Sequence, residues 1–332
     1  MSFSNDTITA IPGIKVGHAH LPNGIPSGCT VILVPPDGVP AGVDIRGGAP
    51  GTYGTDSLMP INLVDRVHGL FFSGGSAYGL SVGDGVRRFL ATLGVGFETG
   101  YAKVPIVAGA IIFDLGVNRS GLYPDADLGW QACKNASDEP CLSGNIGAGL
   151  GATVGKLFGV AQGMKGGLGS YCVKTDYGLM VGALVVVNAF GDIWDPWSGQ
   201  YIAGCRKSPD SLELLHADRV LRGLPRLRGF PQGQNTVVGV VATNARLNKT
   251  QLTKVAQMAH DGLSRTIIPA HTQYDGDTLF AISCGEMNDV ETSVVGALAA
   301  EAVAHAVIRG VTDAESLGGL PSSREVKRSA TK

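Results

Sequence analysis

Three side chains stand out for the chemistry that their types and spacing allow. Thr236 opens a long apolar run, Thr236-Val237-Val238-Gly239-Val240-Val241-Ala242-Thr243, directly behind Gly233-Gln234-Asn235. A threonine hydroxyl is a poor nucleophile at its ordinary pKa and becomes a useful one beside a base. An N-terminal threonine carries its own base, an α-amine whose unperturbed pKa of about 7.7–8.0 leaves a good fraction neutral near pH 7. Cutting the Asn235–Thr236 bond would create such a group: the hydroxyl attacks the preceding carbonyl, an ester forms, and water hydrolyses it. The plain alternative is that Asn-Thr is an ordinary turn-to-strand junction. The other two side chains are Asp275 and Asp277, one residue apart and just before the apolar Thr278-Leu279-Phe280-Ala281-Ile282. Strand alternation would put both on one side, where one could orient the threonine and the other could hold the first. An Asp-Gly turn, or a pair that binds a cation, is the other reading.

Other chemistries find less support. Gly147-Ala148-Gly149-Leu150-Gly151-Ala152 matches the dinucleotide pattern G-x-G-x-x-A, yet the preceding 135–143 segment is polar and contains Pro140, so no strand leads into it. Gly155-Lys156 has Leu150 where a phosphate loop needs glycine and Leu157 where it needs Ser or Thr. The cluster therefore reads as close packing of backbone near a site or a subunit contact. Gly75-Ser76-Ala77-Tyr78-Gly79 misses the nucleophile-elbow pattern by one residue. The seven histidines offer no evident base partner, His260 and His305 reading as packing residues on helices, and no His/Glu constellation suits a metal. Six scattered cysteines form no CxxC or zinc spacing. No cofactor is expected, and reduced thiols with no recognisable leader at the first residues suggest a cytoplasmic protein. A net charge of −2 gives no reason to expect nucleic acid or an anionic membrane as partner.

These side chains need a scaffold that brings Thr236 to Asp275 and Asp277, as many as 277 − 236 = 41 positions away. Hydrophobic residues make up 44% and charged residues 16%, which suits a sizeable core, and 49 glycines suit tight turns and close backbone approaches. Continuous apolar runs at 69–72, 178–188 and 236–243 predict strands buried on both faces. Helices are expected over 57–68, 128–136, 248–266 with Asn248 as cap, and 289–309 capped by Asp289 and stopped by Gly310. Residues 191–195 read as the return strand of a hairpin. Residues 204–235, rich in Arg, Pro and Gly, read as an exposed linker, and the 321–332 tail as frayed. The class is α/β, and residues alone suggest one sheet layer between helices.

The whole pattern resembles the L-aminopeptidase/D-esterase (DmpA-type) family of self-processing hydrolases, in the branch with a threonine nucleophile that includes nylon-oligomer hydrolase. The matching stretches are Ile11 to His18, Val43 to Gly48, Ser73 to Leu80, Val107 to Asp114, Tyr123-Pro124-Asp125, Asn235-Thr236, Ala259 to Leu263 and His271 to Phe280. The resemblance implies a single domain with a four-layer αββα sandwich, similar to N-terminal-nucleophile hydrolases with different strand connectivity. It implies a cut into an α chain, 1–235, and a β chain, 236–332, that stay together and assemble as a homo-oligomer, a tetramer or larger. By motif, Thr236 is the nucleophile, Asp275 and Asp277 the supporting acids, Lys156 the site lysine, Asn188 the amide donor to the oxyanion, and Tyr123 the site tyrosine. Many relatives cut at Gly–Ser and pair the nucleophile with Ser and Glu; this chain has Asn–Thr and Asp-Gly-Asp. The expected activity is hydrolysis of a small peptide or amide through an acyl-enzyme, either aminopeptidase-like, with Asp125 as a candidate grip on a free amine, or endo-acting on oligoamides. An acyltransferase of the ornithine acetyltransferase type is the rival from another class.

Overall fold

The computed structural model describes residues 5–225 and 235–330, the side chains of 327–330 excepted. Two sheets lie back to back. The first has five strands in the spatial order Lys15–His20, Gly28–Leu33, Gly69–Ser73, Val107–Ile111 and Thr52–Tyr53. The second has six, in the order Gly167–Lys174, Met180–Asn188, Thr236–Ala245, Thr278–Met287, Val39–Ile45 and Arg66–Val67. Between them lies a dry layer to which Ile32, Leu70 and Phe72 contribute from one sheet and Leu184, Val238 and Phe280 from the other. The Phe72 and Phe280 rings meet across it at 6.2 Å between centroids.

Each outer face carries a helical layer. Helices Val82–Thr92 and Ala126–Lys134 cover the first sheet, through Val82, Val86 and Leu90 against Val31 and Phe71. Helices Lys249–Thr266 and Thr292–Thr312 cover the second, through residues such as Leu252, Leu263, Val303 and Val307 against Val185 and Val241. The order is αββα. A single sheet between helices, the reading from residues alone, is thus replaced by two, because several strands of the first sheet are short and their pairing is non-local.

The helix over 249–266 starts where the sequence places it: Asn248 Oδ1 accepts the Gln251 N–H at 3.0 Å and the Gln251 side chain returns the bond to the Asn248 N–H at 2.9 Å. This reciprocal cap satisfies two otherwise orphaned donors. The last long helix runs Thr292–Thr312 rather than over 289–309. Asp289 has φ +58°, the left-handed region, and cannot serve as a cap, which needs extended backbone. Gly310 does not stop the helix. It lies where the helix crosses the Gly167–Lys174 strand, and a Cβ there would fall 3.0 Å from the Gly169 nitrogen.

Other expectations are corrected. Residues 57–68 hold only the end of a short 3₁₀ turn, Asp56–Leu58, and the strand Arg66–Val67. Pro60 interrupts any helix, Ile61 and Leu63 stay 91% exposed, and Lys249 Nζ gathers the Ser57, Asn62 and Val64 carbonyls instead. Asp192–Asp195 pairs with Gln200–Ala203 and Ile267–Ile268, not with the preceding strand. The chain leaves the sheet after Asn188 because the Phe190 and Gly191 carbonyls bond the Lys156 and Gly155 amides. The 204–225 part of the expected linker is docked: Arg206 is 3% exposed, and its guanidinium donates to the Ala161, Gly163, Pro209 and Ser211 carbonyls. The remainder, with Arg226, Arg228 and Pro231, lies outside the described residues. The tail is anchored through residue 323, with Ser322 and Ser323 buried and the Pro321 carbonyl accepting the Lys165 N–H.

Candidate active site

Three strand ends of the second sheet converge on the Asn235–Thr236 bond. The Thr236–Ala245 strand begins there. Its neighbour Met180–Asn188 runs antiparallel and ends there, with Asn188 directly across from Thr236. The other neighbour, Thr278–Met287, runs parallel, so its start lies at the same edge and the preceding Asp275-Gly276-Asp277 folds against the junction. Asn235 and Asp275 add one more parallel bridge beyond the ladder.

All of these side chains are buried. Asn188 and Asn235 are 0% exposed, and Lys156, Thr236, Asp275 and Asp277 no more than 2%. The chain is continuous at 235–236, and the Thr236 hydroxyl donates to the Asn235 carbonyl oxygen. That oxygen also accepts the Gly276 N–H at 2.9 Å. A Cβ on Gly276 would lie 2.6 Å from the Ala49 carbonyl oxygen and 2.9 Å from the Thr236 hydroxyl, so only glycine lets the loop approach this closely.

The acids are held differently. Asp277 Oδ1 accepts the Val237 N–H at 2.9 Å, and Oδ2 accepts the His271 backbone N–H at 3.1 Å and the His271 Nδ1 at 2.8 Å. Asp275 Oδ1 accepts the Phe190 N–H at 3.1 Å; its Oδ2 accepts the Thr272 N–H at 3.1 Å and the Thr272 hydroxyl at 2.5 Å. Burial, and then the neighbouring Asp277 charge, push the Asp275 carboxyl up to about 6. Lys156 Nζ donates to Asn188 Oδ1 at 2.8 Å and to the Asn188 carbonyl at 3.2 Å. Burial pushes its ammonium down to about 7 against the opposing pull of the Asp275 carboxylate. Both groups are therefore shifted toward neutral pH from the ordinary Asp and Lys values.

The glycines around Lys156 place it. Gly155 has φ +67°, and a Cβ there would fall 2.0 Å from the Gly204 carbonyl carbon. The 144–156 cluster is thus close backbone packing beside the site. Asn188 also accepts the Thr153 N–H at 3.0 Å, and its Nδ2 donates to the Phe113 carbonyl at 3.1 Å. Among the described residues the second N–H of that amide has no hydrogen-bond partner.

Six of the seven residues singled out from sequence (Asn235, Thr236, Asn188, Lys156, Asp275 and Asp277) therefore meet in one cluster. Tyr123 joins at one remove. Its ring stacks on Tyr78 at 4.2 Å beside Gly75, whose N–H donates to Asp114 at 2.7 Å. Asp114 follows Phe113, the residue that binds Asn188. Among the described residues Tyr123 makes no side-chain hydrogen bond. Asp125 is exposed and caps a helix, its Oδ1 accepting the Leu128 N–H at 2.9 Å. Sequence reasoning missed His271, Thr272 and the Gly276 amide. Among the described residues no group of His, Cys, Asp and Glu is arranged to hold a metal ion.

Residues 6–324 match the profile of peptidase family S58. The chain is 40% identical to an uncharacterized aminopeptidase of Mycobacterium tuberculosis, over 97% of this chain and 98% of that one. It is 32% identical to the 6-aminohexanoate-oligomer endohydrolase of a Kocuria species, over 90% and 83%. Its fold is similar to that of the L-aminopeptidase D-Ala-esterase/amidase of Ochrobactrum anthropi (TM-score 0.72, 20% identity, 100% and 96% covered). It is likewise similar to that of a Burkholderia β-aminopeptidase (TM-score 0.71, 21% identity, 98% and 94% covered). The chain belongs to peptidase family S58, the DmpA-type family, and is an amide-bond hydrolase.

Proposed function

We propose that the chain is a precursor that cuts itself at Asn235–Thr236 and then uses the freed Thr236 to hydrolyse peptides or other small linear amides. The carrying observation is the Thr236 hydroxyl resting on the Asn235 carbonyl, with the Gly276 N–H on the same oxygen. In the first step Thr236 Oγ bonds to the Asn235 carbonyl carbon and releases its proton to the Lys156/Asp275 pair. The Gly276 N–H steadies the oxyanion. The C–N bond then breaks, the pair returns a proton to the departing nitrogen, and an ester remains. Water hydrolyses the ester, leaving a carboxylate on Asn235 and a free hydroxyl and amine on Thr236.

Turnover repeats this chemistry on a substrate amide. Thr236 Oγ takes the acyl group, the amine product leaves with a proton, and water releases the acid. The Thr236 α-amine, Lys156 and Asp275 are the groups available to move these protons, and the spare Asn188 N–H faces the role of oxyanion donor. The products of processing, 1–235 and 236–332, remain together because the two strands of the second product, Thr236–Ala245 and Thr278–Met287, lie between strands of the first in the second sheet. Assembly of several such units in the cytoplasm belongs to the same reading. The family match is to peptidases, so acyl transfer to an amine is not proposed.

Thr236→Ala tests the core of it: that variant stays at full length and has no amidase activity. Retained hydrolysis of amino-acid amides would mean another nucleophile. Endo-acting hydrolysis of oligoamides is the second reading. It is favoured by the similarity to an oligoamide endohydrolase. Equal rates on free and N-acetylated oligoamides support it, and strict dependence on a free amine supports the aminopeptidase reading.

A further inference from the structure

The loop before the Thr278–Met287 strand brings a residue outside the recognised set to one of the two site carboxylates. His271 donates to Asp277 Oδ2 twice, through Nδ1 at 2.8 Å and through its backbone N–H at 3.1 Å. Its side chain is 17% exposed and the Asp277 side chain 2%. The backbone at His271 has φ +56°, a left-handed conformation that a side-chain-bearing residue adopts only under constraint.

We propose that His271 is a positioning residue: it holds the Asp277 carboxylate against the Val237 amide and so fixes the start of the strand that carries Thr236. This rests on the reading of Thr236 as nucleophile. Asp277 receives three N–H donors, two of them from His271. The donors to Asp275 are two backbone amides and a hydroxyl, none of them from His271.

The surroundings of His271 fit this assignment. Behind it, on the Lys249–Thr266 helix, the His260 ring lies edge-on at 4.8 Å. His260 Nε2 meets the Asp44 carbonyl at 3.1 Å and the Asp44 carboxylate at 3.6 Å. Arg46 in turn holds that carboxylate at 2.8 Å. Burial pushes His260 down to about 4, so it is neutral at working pH and adds no positive charge beside His271. On the other side stand Asp277, Asp275 and Lys156. Among the described residues neither His271 Nε2 nor His260 Nδ1 has a hydrogen-bond partner. The contact that His271 does make is therefore the one to Asp277.

The test compares two substitutions that both tolerate the left-handed backbone. His271→Gly removes the ring and keeps the fold of the loop. His271→Asn keeps a side-chain N–H near the Nδ1 position. The full-length precursor is refolded, and cleavage is followed by mass spectrometry from pH 5 to 9, with thermal unfolding as a control. The expected result for His271→Gly is processing slowed on the order of tenfold or more, the scale of one lost charge-assisted hydrogen bond. His271→Asn restores the rate. Slowing of both variants alike means His271 only supports the loop, and overturns the inference; wild-type behaviour of His271→Gly also overturns it. Either outcome leaves the Thr236 reading standing, since that reading is tested separately, by Thr236→Ala and by the intact mass of the wild-type protein.

Discussion

Asn188 faces Thr236 across an antiparallel ladder at the very end of one strand and the very start of the other. The amide of Asn188 is thereby tied to the nucleophile's position by sheet register, and Lys156 is tied to Asn188 by two hydrogen bonds. A one-residue slip of either strand would turn one of the two side chains to the opposite face. The large apolar layers on both faces of this sheet guard against that slip.

Asn188→Ala is expected to harm both stability and chemistry. It removes the side-chain hydrogen bonds to Lys156 Nζ, the Thr153 N–H and the Phe113 carbonyl, which costs about 1–3 kcal/mol in the folded state. Loss of an oxyanion donor typically lowers kcat about 10²–10³-fold. Thermal unfolding and steady-state kinetics on an amide substrate measure the two separately.

Processing should be lost at acid pH. Burial lifts Asp275 to about 6 and depresses Lys156 to about 7. Below about 6 the pair is doubly protonated and cannot accept the hydroxyl's proton; above that it can take this proton and pass it on to the leaving amine. Cleavage of refolded precursor, timed across pH, is expected to rise with pH through this range. Lys156→Met, close to Lys in length, should slow cleavage about 10²–10⁴-fold.

Asn248→Ala provides a control far from the chemistry. It removes half of a reciprocal helix cap and should cost about 1 kcal/mol. Processing and amidase rates should be unchanged at a temperature where both proteins are folded. A large loss of activity would mean that the Lys249–Thr266 helix does more than cover the sheet.

The site was largely legible in the sequence, and the limits have physical causes. Thr236, Asp275 and Asp277 announce themselves because a hydroxyl or a carboxylate at the mouth of an apolar run has little structural reason to be there. Lys156, Asn188 and Tyr123 came from the family resemblance, since nothing local to them predicts that strands 30 to 80 residues apart converge. His271 was passed over because its partner lies only six residues along, in a left-handed turn that side-chain type does not reveal. The Gly276 N–H was invisible because a backbone donor has no residue code, although a glycine between two acids is its trace. Among the elements, the long amphipathic helix with its Asn248 cap was legible from local sequence. The αββα layering followed from the resemblance alone, since pairing between distant short strands leaves no local signal. The docked 204–225 segment was misread because Arg206 looks like a solvated charge until the carbonyls that surround it are seen.

Intact mass of the purified protein, taken under denaturing conditions, tests the central claim most directly. The account predicts two polypeptides whose masses match residues 1–235 and 236–332, together equal to the 34.2 kDa chain plus one water, and a Thr236→Ala protein that remains whole. A single uncut 34.2 kDa species with full amidase activity would contradict it.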